Sequence, residues 1–408
     1  MYGRDRIKVV WLCHFSNPEI QTLLKTRGKK AMSASWISNT ASLFEGSTEV
    51  ELHLVAPHEY IIKDREFELR GVHYHFFNPG IPLWGRHWPA KFRWDIISGY
   101  RKNIRAVKRF VERINPDLIH LQGAENPYYS VTAIQFRDSH PIVVNLQHLD
   151  PEFKYPSSRE GKYRATVEKY ILKHFKHFSV RTETMKCGLL KLNPEARIHW
   201  VRYHVPHLKP CTTHKSYDIV FFARVSPRKG IEDLLRAASL LSGKYPALSV
   251  CVIGAAEPGY RDRLQGIFGD GSVRIVWKGM LPSIEDVHRE ACKARICVLP
   301  THDDIIPGTI IESMQLGIPV VSYKVGSIPE LNVEQESLLL VDKGDIRGLV
   351  ACMDRLLTDE EYARGLAARG RETVLKRISA EDVYSQHLRC YREVIREFHS
   401  GVRGRTVN

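Results

Sequence analysis

The sequence predicts an α/β protein built from two Rossmann-like, doubly wound domains facing each other across a cleft. Three observations carry that expectation. Short, almost continuously apolar runs recur in the second half: "YDIVFFA", "LSVCVIG", "VRIVWKG", "ARICVLP", "IPVVSY" and "SLLLV". Strands that read this way are buried on both faces of a parallel sheet. Helical stretches separate most of these runs, the alternation of a doubly wound sheet. Between the halves, "YHVPHLKPCTTHKS" at 203–216 is Pro-rich and polar, as a linker should be. The domains are therefore set at 1–205 and 206–385, with 386–408 as a C-terminal helix and tail that crosses back to the first domain.

Strands of the first half are expected at 8–13, 50–56, 72–77, 117–121, 142–146 and 177–181. A helix over 95–114 is indicated by Ile97, Tyr100, Ile104, Val107 and Val111 at helical spacing, with Arg101, Lys102, Arg105, Lys108 and Arg109 mostly off that stripe. In the second half a helix over 309–316 follows "THDDIIPG", and final helices are expected at 365–377 and 380–399.

Composition narrows the class. The chain has 408 residues, 43% hydrophobic and 26% charged, the profile of a soluble globular protein. Nothing approaches the roughly 20 apolar residues of a membrane span, and "IKVVWLC" is too short for a signal-peptide core. The net charge of +14 is lopsided: 1–205 carry 32 Lys+Arg against 20 Asp+Glu, whereas 206–408 are nearly balanced. An anionic partner is implied for the first half. The eight Cys, at 13, 187, 211, 251, 292, 297, 352 and 390, form no CxxC pair. They read as reduced core thiols of a cytosolic protein. No metal spacing is found; "HDD" at 302–304 has no second ligand cluster near it.

The chemistry concentrates on loops at strand ends. "THDDIIPGTIIES" places Asp304 before a helix whose start carries Pro307, tolerated there because its missing N–H has no helical partner anyway. The amides of Gly308, Thr309 and Ile310 sit at the positive end of the helix dipole, a ready site for phosphate. Glu312, one turn in, is placed to accept from a ribose diol. In "FFARVSPRKGIEDLL" the loop carries Arg224, Arg228 and Lys229, cations suited to a diphosphate. Gly279 and Met280 of "VWKGM" end a third strand, where backbone could read a base edge. Singly, each motif is also what a helix cap or a solvated loop looks like.

Together, in this order, the three loops resemble the family-4 retaining glycosyltransferases of the GT-B fold over about 217–395. "ARVSPRKG" matches their Gly-Arg-Leu-x-x-x-Lys-Gly loop, "VWKGM" their Gly loop, and "DIIPGTIIESMQLGIPVV" their "EGxPxxxxEAMAxGxPVV" segment. Asp304 replaces the family's first Glu, and Ala223 stands where Gly is frequent. The resemblance implies that Arg224 and Lys229 hold a nucleotide diphosphate and that Glu312 binds the ribose. Asp304 and the 305–310 backbone, with Pro307, Gly308, Thr309 and Ile310, would face the donor sugar and its phosphate. Gly279 and Met280 would touch the base. It also implies a UDP- or GDP-sugar donor, no cofactor and no metal.

In the first half, "DLIHLQGAEN" resembles the family's "DVIHVHG" strand, with Gln122 in place of the second His and His120 read as a core histidine. Acceptor-side candidates are Gln122, Glu125, His148 and Arg181, with "RTE" at 181–183 resembling a signature of polysaccharide-assembly members. The basic loop with Arg27, Lys29 and Lys30 either closes over an anion or is merely solvated. Trp84, Trp88 and Trp94 among basic residues suit an anionic membrane surface. The expected activity is retaining transfer of a sugar to a glycan or lipid-linked glycan in surface polysaccharide biosynthesis, in the cytoplasm or at the inner face of the cell membrane. Rivals are a nucleotide-sugar epimerase, a glycan phosphorylase, or a basic nucleic-acid-binding protein. The last lacks any RRM, KH or zinc pattern, and nucleic acid is not among the expected partners.

Overall fold

The computed structural model describes residues 6–26, 35–79, 94–147, 149, 157–269 and 271–405. His148, the loop at 27–30, Trp84 and Trp88 lie outside the described residues. The chain divides into two compact units, Met1–Pro206 with Ile378–Asn408, and His207–Arg377. Residue 385 falls inside the last helix, Ala380–Arg405, whose whole length belongs to the first unit.

The first unit carries β1 (Ile7–Leu12), β2 (Val50–Pro57), β3 (Arg65–Leu69), β4 (Val72–Phe77), β5 (Leu118–Gln122), β6 (Ile142–Asn145), β7 (His177–Val180) and β8 (Arg197–Trp200). They form one sheet in the order β3-β4-β2-β1-β5-β6-β7-β8. Only β3 runs antiparallel to its neighbour among these pairs. β3 and β8 were not anticipated. Both are edge strands that mix polar and partly exposed residues, and so lack the apolar run that marks a central strand. On one face the last helix buries Leu388, Tyr391, Val394 and Ile395 against Trp11, Leu52 and Leu54. Trp11 Nε1 donates to the Tyr391 hydroxyl at 3.0 Å, and that hydroxyl also meets His120 Nδ1 at 2.9 Å.

The single helix expected over 95–114 is two, Trp94–Ile97 and Arg101–Ile114. Gly99 and Tyr100 both take left-handed backbone angles, which end the first helix and turn the chain. The longer helix buries Val107, Phe110, Val111 and Ile114.

The second unit carries β9 (Tyr217–Phe222), β10 (Ser249–Ile253), β11 (Arg274–Gly279), β12 (Ala294–Leu299), β13 (Val320–Tyr323) and β14 (Leu339–Val341), all six within the apolar runs read from the sequence. They form a parallel sheet ordered β11-β10-β9-β12-β13-β14. The order reverses between β9 and β12. In open α/β sheets, ligands bind at such a switch point, beyond the strands' C-terminal ends. Residues 201–216 have no regular secondary structure. One cysteine expectation fails here: Cys211 of this segment is bonded to Cys292, 81 residues away. That separation gives no local signal for pairing. Cys13, Cys251, Cys297 and Cys390 are free and buried. Among the described residues, no helix is long and apolar enough to cross a membrane.

At the switch point the loop after β9 is pressed onto the end of β12. Gly230 has φ +76°, and a Cβ there would lie 1.8 Å from the Pro300 carbonyl oxygen. Beside it, Gly254 has φ +145°, and its Cβ would lie 1.9 Å from the Ala223 carbonyl oxygen. Any side chain at either position must move backbone.

Gly230→Ala should therefore destabilise the second unit by roughly 2–4 kcal/mol, measured by urea denaturation; a change below about 0.5 kcal/mol would contradict this packing. Acid should also destabilise the protein. Burial pushes His387, His14 and His177 down to about 4, below the ordinary histidine value. Between pH 6.5 and 4 the unfolded chain thus binds more protons, and stability falls as pH falls. Each such group adds up to about 1.4 kcal/mol per pH unit to the slope. His387→Gln should flatten the slope by about one proton at pH 5.

Candidate functional site

Loops after β9 and β12 interlock through their backbones. The His302 amide donates to the Arg228 carbonyl at 2.8 Å, and Arg228 Nε donates to the Asp303 carbonyl at 3.0 Å. Between them, Lys229 Nζ donates to both Asp304 carboxylate oxygens at 2.9 and 2.7 Å, and the Thr301 hydroxyl donates to Asp304 Oδ2 at 2.6 Å. Both charged side chains are mostly covered, at 21% and 14% exposure. Two residues assigned separately from the sequence, a diphosphate cation and a sugar-facing carboxylate, therefore form one ion pair. Arg224 is exposed at the end of β9. Asp233, buried behind the loops, receives the Tyr323 hydroxyl at 2.9 Å and faces His302 Nε2 at 3.0 Å.

The helix Gly308–Gln315 begins at this ion pair, one turn after Asp304, with Pro307 as its N-cap. The Thr309 hydroxyl donates to the Phe222 carbonyl at 2.6 Å and anchors the helix start to the end of β9. Gly308 is exposed, so its backbone can be approached. The three amides expected to be open reduce to two: the Ile310 N–H donates to the Pro307 carbonyl at 3.1 Å, the tighter bonding common in a first turn. Gly308 and Thr309 have no carbonyl four residues back within the helix. Glu312 Oε2 lies 3.1 Å from His288 Nε2, and Glu312 Oε1 lies 3.4 Å from where a Gly308 Cβ would be. The carboxylate thus folds back over the helix start. Nothing in "SIEDVHREA" marked His288; only the docking of helix Ile284–Ala291 brings it to Glu312.

Gly279 and Met280 line a cavity of about 390 Å³ together with Trp277 and the loop from Gly254 to Asp262. Met280 is 77% exposed. Trp277 Nε1 donates to Gln265 Oε1 at 2.7 Å, and the Arg261 guanidinium lies 5.8 Å from the Trp277 ring. Sequence reading missed the 254–262 loop, although Gly254 closing "LSVCVIG" was a visible signal.

In the first unit the order of the parallel strands reverses between β1 and β5. Three of the four acceptor-side candidates lie at these C-terminal strand ends. Gln122 is buried, with its Oε1 accepting from Asn145 Nδ2 at 2.7 Å. Glu125 is half-buried, and burial raises its carboxyl above the usual range. Arg181 donates to the Leu146 and Gln147 carbonyls at 3.1 and 2.8 Å, and its guanidinium lies 4.3 Å from the Tyr203 ring centroid. Tyr203 stacks on Trp36 at 4.5 Å. Asn145, Tyr203 and Trp36 were missed, because single aromatic and amide residues carry no spacing signal. His120 is buried against Trp11, His387 and Tyr391, a core histidine as expected.

Profiles of known families match both units. The family described as glycosyl transferase 4-like domain matches residues 46–204, and that described as glycosyl transferases group 1 matches residues 216–359. The 2-deoxystreptamine N-acetyl-D-glucosaminyltransferase of Niallia circulans is 24% identical over 45% of this chain and 47% of its own. The capsular polysaccharide biosynthesis glycosyltransferase CapM of Staphylococcus aureus is 22% identical over 45% and 47%. This chain spans about half the length of these curated relatives. Among solved structures, sucrose-phosphate synthase from Thermosynechococcus elongatus superposes with a TM-score of 0.75 at 18% identity, covering 96% of this chain and all of that one. Anabaena HepE in complex with UDP and glucose does so with a TM-score of 0.65 at 13% identity, covering 95% and 100%. Two α/β units, each matched by its own glycosyltransferase family model, place this chain among the group 1, family-4-like glycosyltransferases of the GT-B fold.

Proposed function

We propose that this protein moves a sugar from a nucleotide diphosphate sugar to a hydroxyl of a glycan or lipid-linked glycan, with retention at the anomeric carbon and without a metal. The observation that carries this reading is the start of helix Gly308–Gln315 at the sheet's switch point. Open amides, the Lys229–Asp304 pair and the Glu312–His288 pair converge there. The family membership and the solved complex of HepE with UDP and glucose support it.

In this reading the Gly308 and Thr309 amides, Lys229 and Arg224 receive the diphosphate, whose negative charge grows as the glycosidic bond breaks. Preorganised donors of this kind act most strongly on charge that develops in the transition state. Asp304 holds Lys229 in place before the donor arrives. When phosphate comes within reach, Lys229 has two anionic partners, and Asp304 turns its free acceptor capacity to a sugar hydroxyl. Glu312, oriented by His288, accepts from the ribose diol. The cavity beside Gly279 and Met280 takes the base. The acceptor hydroxyl attacks on the face from which the diphosphate departs, and a departing phosphate oxygen takes its proton. Gln122, Glu125 and Arg181 are assigned to the acceptor. The basic character of the first half suits an anionic membrane surface carrying a lipid-linked acceptor, on the cytoplasmic side. CapM, a capsular polysaccharide enzyme by name, and AmsK of Erwinia amylovora, an amylovoran biosynthesis glycosyltransferase at 28% identity over 44% of each chain, favour surface polysaccharide assembly.

A thermal-shift series with UDP, GDP, ADP and CMP and their common sugars tests the proposal. One nucleotide should raise Tm by roughly 5–10 °C at about 100 times its Kd. Glu312→Ala should weaken that nucleotide by about tenfold or more, through loss of charge-assisted hydrogen bonds. Turnover should not respond to added Mg²⁺ or Mn²⁺. Absence of a shift with every nucleotide, in folded protein, would overturn the assignment.

A further inference from the structure

The sheet of the first unit carries a polar cluster that the transferase reading does not use. Pairing of β2 with β4 sets His53 opposite His73, and pairing of β1 with β2 sets Lys8 opposite Glu51. Antiparallel β3 adds Glu68 opposite His73 and Glu66 opposite His75. Because side chains alternate along a strand, Glu51, His53, His73, His75, Glu66 and Glu68 share one face of the sheet. Glu51 and His73 are each the second residue of a parallel strand. The cluster therefore lies toward the N-terminal ends of β2 and β4, away from the C-terminal ends where Gln122 and Arg181 gather.

One ligand atom from each of Glu51, His53 and His73 lies within 4.8 Å of the other two. A tetrahedral Zn²⁺, with bonds of about 2.0–2.1 Å, needs such atoms roughly 3.3 Å apart, a contraction that side-chain rotation can supply. His53 Nε2 already faces Glu51 Oε1 at 2.9 Å, and the His53 and His73 rings are stacked at 4.5 Å with 14° between planes. Behind them, His53 Nδ1 meets His75 Nε2 at 3.0 Å, and His75 Nδ1 meets Glu66 Oε2 at 2.6 Å. A histidine whose far nitrogen is held through a chain ending in a carboxylate is how protein metal sites orient their imidazoles. Access is available, since Glu51 and His73 are 31% and 32% exposed whereas His53 is nearly covered. Lys8 lies 3.7 Å from Glu51 but also donates to the Ile114 carbonyl at 3.3 Å, and so need not stay on the carboxylate.

We propose that Glu51, His53 and His73 bind one divalent transition-metal ion of the Zn²⁺ class, with the fourth position left to water. Two imidazoles and a carboxylate suit Zn²⁺ better than Mg²⁺ or Ca²⁺, which take oxygen ligands. An ion here would clamp β2 to β4 from the side, so its effect is on the stability of the first unit.

The test uses the full chain, stripped with chelator and dialysed. Zn²⁺ is titrated in competition with a chromophoric chelator, and Co²⁺ is followed by its visible ligand-field absorption. One equivalent should bind tightly, raise Tm and give the intense Co²⁺ spectrum of a four-coordinate site. His73→Ala and Glu51→Gln should each weaken that equivalent by at least about tenfold and remove the spectrum. Glu66→Gln should weaken it by about 10–100-fold through the His75 relay. Circular dichroism checks that each variant is folded. Glu51→Gln keeps the shape of the side chain and serves if His73→Ala is not folded. Absence of any tight equivalent, or the same equivalent and spectrum in the His73→Ala/Glu51→Gln double variant, would overturn the proposal and assign the ion to other histidines.

Discussion

The backbone contact of Gly230 with the Pro300 carbonyl is the constraint on which the second unit's site depends. It sets the loop after β9 directly on the loop after β12, at the point where the strand order reverses. No L side chain fits there without moving one of the two strands. With that contact in place, the His302 amide donates to the Arg228 carbonyl, the Arg228 side chain donates to the Asp303 carbonyl, and Lys229 comes within hydrogen-bond reach of Asp304. Thr309 then ties the helix start to Phe222. Each polar contact is short because the backbones beneath it are already touching.

Both pairs at this site are mostly covered by the fold, and that determines their energetics. A covered charge without a partner is costly. Asp304 and Glu312 consequently hold Lys229 and His288 rather than wait unpartnered for a ligand. Side chains held this way lose little further freedom when a ligand arrives, which favours binding and orientation together. Asp304, one methylene shorter than the Glu frequent at this position in the family, reaches Lys229 because Thr301 and the close loop contact shorten the distance it must span.

In the first unit the two ends of the sheet differ in kind. The C-terminal ends gather Gln122, Asn145, Arg181 and Tyr203 into one bonded polar and aromatic group. Toward the N-terminal ends lie imidazoles and carboxylates suited to a cation. The last helix closes the opposite face of this sheet with Tyr391, whose hydroxyl satisfies Trp11 and meets His120. A histidine in a strand that resembles a family motif is thereby packed into the core, with its Nδ1 on the Tyr391 hydroxyl.

The sequence by itself determined the fold class, all six strands of the second unit, the loops that carry Lys229 and Asp304, and the helix that carries Glu312. Buried parallel strands need continuous apolar runs, and a helix start is marked by Pro and Gly at short spacing. Such local requirements are written in consecutive residues. Features built from distant residues were not legible: His288 against Glu312, Tyr203 on Trp36 and under Arg181, the Cys211–Cys292 bond, and the His53–His73 pair. Edge strands β3 and β8 were missed because one solvated side removes the apolar signal. The break at Gly99 and Tyr100 was missed because helical periodicity persists across it. Only the tertiary structure decided that Lys229 and Asp304, 75 residues apart, form one pair, because the contact depends on how closely two loops pack rather than on the spacing of either.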